Sequence, residues 1–176
     1  MKAYLIAVVS FFCAHAFGAV PVPIDGTPIV TYANKHLSQC GALKKTSDGF
    51  VYLKVSQRYI DDLFPLLQAQ LSPADAEKLC KPPYVGEGKI GAHVSVIYAS
   101  ELPKPITSFP ENGRKECFTV SGFAYVDPEQ GPFQRVYYLR LLSADLSKIR
   151  VNYRLSPLYN NHDFHISIAV VYREES

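Results

Sequence analysis

The sequence predicts an α+β fold built as two halves around one interior. Three observations lead there. The chain has 176 residues, 48% hydrophobic and 19% charged, which is too apolar for a disordered chain and long enough for one domain with a sizeable core. Strand-like and helix-like patterns follow one another as β-α-α-β, then, past a Pro-rich connector, β-β-α-β. Each half also ends on a strand of the same local type, Ala92-His93-Val94-Ser95-Val96-Ile97 and Phe164-His165-Ile166-Ser167-Ile168-Ala169.

The first residues stand apart from this fold. Lys2 precedes the apolar run Ala3 to Ala14, and small residues follow at Ala16, Gly18 and Ala19. A basic start, an apolar centre and an Ala-x-Ala-like end form the pattern of a secretory signal peptide. A membrane anchor needs about 20 apolar residues, whereas Pro21 and Pro23 interrupt this run early. Residues 1–19 are therefore expected to be removed, leaving a domain over 20–176 that is secreted and not held by a membrane.

Cys40, Cys80 and Cys117 then remain. An odd count in an oxidising compartment allows one intramolecular disulfide and one leftover thiol. Cys40 with Cys80 is the expected pair, since each flanks a turn-rich edge of the first half, although spacing alone does not determine connectivity. No cysteine sits in a recognisable nucleophile context.

Residues 21–49, rich in Pro, Gly, Thr and Ser, read as an extended arm with loops. Phe50 to Val55 is β-branched and aromatic, a strand. From Gln57, apolar residues at Ile60, Leu63, Phe64, Leu67 and Leu71 recur at helical steps, so this helix must accommodate Pro65. Ser72-Pro73 is an N-cap with proline in the first turn, opening a short helix to about Cys80. Gly88 to Tyr98 reads as a strand. Pro103, Pro105 and Pro110 make the connector, which separates lobes of roughly 45–100 and 115–176. The second lobe shows strands at 116–126 and 135–142, a helix at 144–153 capped by Ser143 with Leu146 and Ile149 inward, and a last strand at 164–172.

In a strand, side chains alternate faces. His93 and Ser95 therefore share one face above Val94 and Val96, and His165 and Ser167 share another above Ile166 and Ile168. His36-Leu37-Ser38 matches the same triplet but lacks the alternating apolar frame, so it reads as loop or surface. His162, three residues before His165, suggests a metal site, but an odd offset on a strand points the two rings apart and no other zinc motif supports it.

The two motifs, His93-Val94-Ser95-Val96 and His165-Ile166-Ser167-Ile168, resemble those of the 2H phosphoesterases. The resemblance implies a bilobal α+β fold with pseudo-two-fold symmetry, two antiparallel sheets around a central cleft and helices outside. It also implies His93 and His165 as the catalytic pair, Ser95 and Ser167 as substrate-phosphate ligands, and no cofactor or metal. The chemistry stands independently. Moving a phosphoryl group between hydroxyls needs one base and one acid, roles that two imidazoles can divide near neutral pH, while hydroxyls hold the non-bridging oxygens.

A formal charge of +2 disfavours a grip on long nucleic acid by charge alone. The expected substrate is thus a 2′,3′-cyclic phosphate, an RNA end or a small (cyclic) oligonucleotide, with no long nucleic-acid tract. Two other readings share these residues: a non-catalytic nucleotide- or protein-binding module, and a secreted two-histidine ribonuclease. Nucleotide-binding glycine loops and CxxC pairs are absent, which removes P-loop, dinucleotide and zinc-ribbon functions. Lys89, Arg135, Arg140 and Arg150 read mainly as solvated charges, and Tyr98, Tyr138 and Tyr159 mainly as packing residues.

Overall fold

The computed structural model describes residues 25–103, 106 and 108–174; the expected signal segment lies outside them. Among the described residues, eight strands form two antiparallel sheets of four. The first contains β1 (Cys40–Lys45), β2 (Val51–Lys54), β4 (His93–Ile97) and β5 (Lys115–Cys117). The second contains β3 (Leu79–Cys80), β6 (Thr119–Val126), β7 (Phe133–Leu142) and β8 (Phe164–Tyr172). Their orders are β4-β2-β1-β5 and β3-β8-β7-β6, so the chain is α+β as its sequence predicts.

Alternation sets the inner face of each sheet. Leu43, Leu53, Val94, Leu139, Ile166 and Ile168 are fully buried in one shared core, and truncating one such side chain to alanine typically costs about 2–5 kcal/mol. The helices close that core. α5 (Ala144–Asn152) starts where the Ser143 hydroxyl accepts the Leu146 N–H at 3.2 Å, and it buries Leu146 and Ile149. α4 (Pro73–Glu77) is capped in the same way by Ser72 through Asp75. Pro65 is the third residue of α3 (Leu63–Gln68), where its missing N–H would have had no intrahelical acceptor. The helix expected from Gln57 is nevertheless divided, with α2 (Arg58–Asp61) and α3 meeting at Asp62.

Several expectations are corrected. The Pro/Gly-rich arm contains a helix, α1 (Thr27–His36), because Ile29, Ala33 and Leu37 fall four residues apart and are all buried. Gly26 admits α1 against β6, since a Cβ there would meet the Phe123 Cβ at 2.8 Å. The arm also contains β1. The second short helix ends at Glu77, because Leu79 and Cys80 pair with Val171 and Val170 of β8. The strand expected at 116–126 is divided at Phe118, its first part joining β1 and the remainder joining β7. The sequence halves therefore exchange strands, β5 going to the first sheet and β3 to the second.

That exchange explains the cysteines. The disulfide joins Cys40 to Cys117, not Cys80. β1 and β5 are antiparallel neighbours with these two residues directly opposite, their Cα atoms 4.0 Å apart. Cys80 lies in the other sheet as an exposed free thiol.

Candidate functional site

The two His-x-Ser strands belong to different sheets, yet β4 packs against β8. Both follow the expected alternation: His93, Ser95, His165 and Ser167 are half-buried, while Val94, Val96, Ile166 and Ile168 are buried. The imidazoles are held alike. His93 Nδ1 lies 2.8 Å from the Gly91 carbonyl and His165 Nδ1 lies 3.2 Å from the Asp163 carbonyl, in each case two residues upstream. A carbonyl only accepts, so each Nδ1 carries the hydrogen and each Nε2 is left to give or take a proton.

Both histidines have lowered pKa values. For His93 the main cause is burial, opposed by the Gly91 hydrogen bond and reinforced by repulsion from His165. Burial also dominates at His165; Asp163 opposes it through its carbonyl and its charge, and His162 adds repulsion. The repulsion that His165 exerts at His93 places the two imidazoles within electrostatic reach of one another. Each favours the neutral form, and protonating one opposes protonating the other.

A second repeat supports the first. Tyr52-Leu53-Lys54 on β2 runs opposite the first motif, with Tyr52 facing Ser95 and Lys54 facing His93. Tyr138-Leu139-Arg140 on β7 runs opposite the second, with Tyr138 facing Ser167 and Arg140 facing His165. Directly opposed residues share a face, so each His/Ser pair is matched by a Tyr/cation pair. The register then shifts at the same place in both sheets, leaving Val96 and Ile168 without cross-strand partners. These are β-bulges, which re-aim the residues that follow. They account for the consecutive buried residues Val96–Ile97 and Ile168–Ala169, and in β4 the bulge returns Tyr98 to the site face.

Tyrosines flank both motifs. The Tyr84 ring stands edge-on to His93, centroids 4.6 Å apart, and its hydroxyl lies beside Ser167, so it spans both motifs. Burial pushes that hydroxyl's pKa up to about 12, leaving it a protonated donor. Tyr98 reaches Ser95 and packs on Tyr159 at 4.8 Å. Phe50 and Tyr52 stack at 5.5 Å and both approach His93 edge-on. Tyr138 covers His165 at 5.3 Å.

Gly91 is required here for two reasons. Its φ is +75°, and a Cβ would meet the Gln57 side-chain oxygen at 2.8 Å. That same oxygen accepts the Ala92 N–H at 3.0 Å, fixing the approach to His93. In the other lobe, Arg140 grips the Asp163 carboxylate with its Nε and Nη2 at 3.0 and 2.6 Å, steadying the residue whose carbonyl holds His165.

Of the arginines expected to be solvated, Arg135 and Arg140 remain at the surface in ion pairs and only Arg150 is buried. Arg140 pairs with Asp163 and Arg135 with Asp127. Arg150 is only 2% exposed, bonded to the Val96 and Ser156 carbonyls and to both oxygens of Glu101. His162 lies outside β8; its N–H bonds to the Tyr159 carbonyl in a tight turn. Among the described residues no group of three or more His, Cys, Asp or Glu is arranged to hold a metal ion. Tyr84 and the Tyr-Leu-cation repeat went unread in the sequence. The repeat has a visible signal, since both copies lie in predicted strands, but its meaning depends on the register.

Two imidazoles with Nδ1 tied to a carbonyl, each beside a serine on its own strand, make up the candidate site. The family model described as Swiss Army Knife, 2H phosphoesterase domain, matches residues 51–175. The chain belongs to the 2H phosphoesterases. No curated protein and no solved structure gives a significant match.

Proposed function

We propose that this protein is a secreted, metal-independent phosphodiesterase that opens a 2′,3′-cyclic phosphate on a nucleotide or a short RNA end. The observation that carries the reading is the matched tautomer of His93 and His165, each with Nδ1 tied to a carbonyl and Nε2 open. One Nε2 takes a proton from water as its oxygen attacks phosphorus. The other, as imidazolium, gives a proton to the ribose oxygen as the P–O bond breaks. The two then exchange protonation states and reset through solvent. The hydroxyls of Ser95 and Ser167 donate to the non-bridging oxygens.

Secretion is supported by the signal-like residues 1–19 and by the Cys40–Cys117 disulfide, a bond that persists in oxidising compartments. The test is turnover of a panel of 2′,3′-cyclic nucleotides, 2′-5′ oligonucleotides and cyclic dinucleotides with chelator present. His93→Ala and His165→Ala should each lower kcat by about 10²–10⁴-fold while remaining folded. Full activity in either folded variant, or loss of wild-type activity on chelation, would refute it.

A further inference from the structure

The two lobes match at the histidines and differ in charge beyond them. Across the first sheet, the row that begins at His93 continues through Lys54 on β2 and Ala42 on β1 to Lys115 on β5. A parallel row runs from Ser95 through Tyr52 to Lys44. Directly opposed residues project from the same face, so Lys54, Lys44 and Lys115 lie on the face that carries the histidine and serine. The other face holds Leu43, Leu53 and Val94, which are fully buried. Lys54 and Lys115 are exposed, Lys44 is half-exposed, and none of the three side chains makes an ion pair or hydrogen bond among the described residues.

Among the described residues the second lobe has nothing comparable. Its equivalent cation, Arg140, is held by Asp163. The residues opposite Arg140 and Tyr138 on the next strand are Gly122 and Ala124. Free positive charge in line with the catalytic pair therefore extends over the first sheet alone. Ala42 keeps the floor between Lys54 and Lys115 low. Phe50 and Tyr52 stand on the same face as a stacked aromatic pair. Cations interleaved with aromatic rings suit phosphates and bases together, the combination used to hold single strands.

We infer that the open face of the first sheet binds the backbone of a single-stranded oligonucleotide leading away from the reactive phosphate, along Lys54, Lys44 and Lys115. This rests on the phosphodiesterase reading and narrows it to short strands in preference to mononucleotides. Strands lie about 4.8 Å apart, so the track reaches about 14 Å from β4. That length covers about four stacked nucleotides at roughly 3.4 Å each. It explains how a nearly neutral chain can prefer a strand, since the charge is concentrated along one line.

The test measures affinity, so it does not depend on turnover. Labelled 2′-O-methyl oligoribonucleotides with a terminal 3′-phosphate, one to six residues long, are titrated into the wild-type protein at several salt concentrations. Affinity should rise up to about four nucleotides and then level off. Neutralising three phosphates on a single strand gives a log–log salt slope of about −2. The K44Q/K115Q double variant should flatten the length dependence and bring the slope near −0.7. Affinity that ignores length would overturn the proposal. So would a length dependence untouched in K44Q/K115Q, which would leave Lys115 only as a guard on the sheet edge. If the strand binds as described but no cyclic phosphate is opened, the activity reading fails and the track stands.

Discussion

Arg150 donates a hydrogen bond at 2.6 Å to the carbonyl of Val96, the residue that the bulge in β4 leaves without a cross-strand partner. Glu101 neutralises Arg150 and also accepts the Tyr98 N–H at 2.8 Å. A single buried ion pair therefore fixes both ends of the turn that follows Ser95.

Arg150→Ala should destabilise the fold by about 3–5 kcal/mol, because it strands the Glu101 carboxylate in the interior. The paired variant Arg150→Met/Glu101→Leu should recover much of that loss. Its kcat should still lie below wild type, because the Val96 carbonyl and the Tyr98 N–H lose their anchors. Thermal melts and single-substrate kinetics on both variants check this; wild-type kcat in the paired variant would confine Arg150 to stability.

The pH profile has a definite sign. Burial lowers the pKa of both His93 and His165, so imidazolium is lost at a lower pH than the ordinary value of about 6.5. A plot of kcat/KM against pH should be bell-shaped, with its alkaline limb starting on the acid side of neutrality. An alkaline limb beginning above about pH 7.5 would contradict this assignment. Linkage gives the companion result: the unfolded chain takes up protons first, so stability falls as pH drops below about 6.5 and stops falling below the lowered native values. His93→Asn/His165→Asn should melt with a shallower acid dependence.

Tyr84 separates ring from hydroxyl. Tyr84→Phe keeps the edge contact with His93 and removes the donor beside Ser167. About a tenfold fall in kcat/KM is expected, the size of one hydrogen bond to a charged group. Tyr84→Leu should cost more and shift the pH profile, because His93 loses the ring that screens it from water.

Disulfide connectivity can be read chemically. Native protein should take up one maleimide, at Cys80, and a peptide map should join Cys40 to Cys117. Closing a loop with a sequence separation of 77 is worth about 4.5 kcal/mol in the chain-entropy model. Cys40→Ser/Cys117→Ser should therefore lower Tm markedly, and Cys80→Ser should leave it unchanged.

Much of the site was legible from local pattern. Alternation alone puts His93 with Ser95 and His165 with Ser167, and the apolar frame separates them from His36-Leu37-Ser38. Ser143 and Ser72 announce their helices through capping. α1 was legible in principle from Ile29, Ala33 and Leu37, but Pro and Gly nearby outweighed that spacing. Long-range pairing was not legible: β3 and β5 change sheets, and that exchange decides which cysteines meet.

The sequence by itself determined the two motif strands, their faces and the chemistry two imidazoles can perform, because a period of two is a property of each strand alone. Only the tertiary structure decided the register. It set Tyr52 and Tyr138 opposite the serines, bulged Val96 and Ile168, brought Tyr84 across to join the motifs, buried Arg150, and aligned three lysines on one face. Register arises from the packing of distant segments on a shared core, and no local pattern contains it.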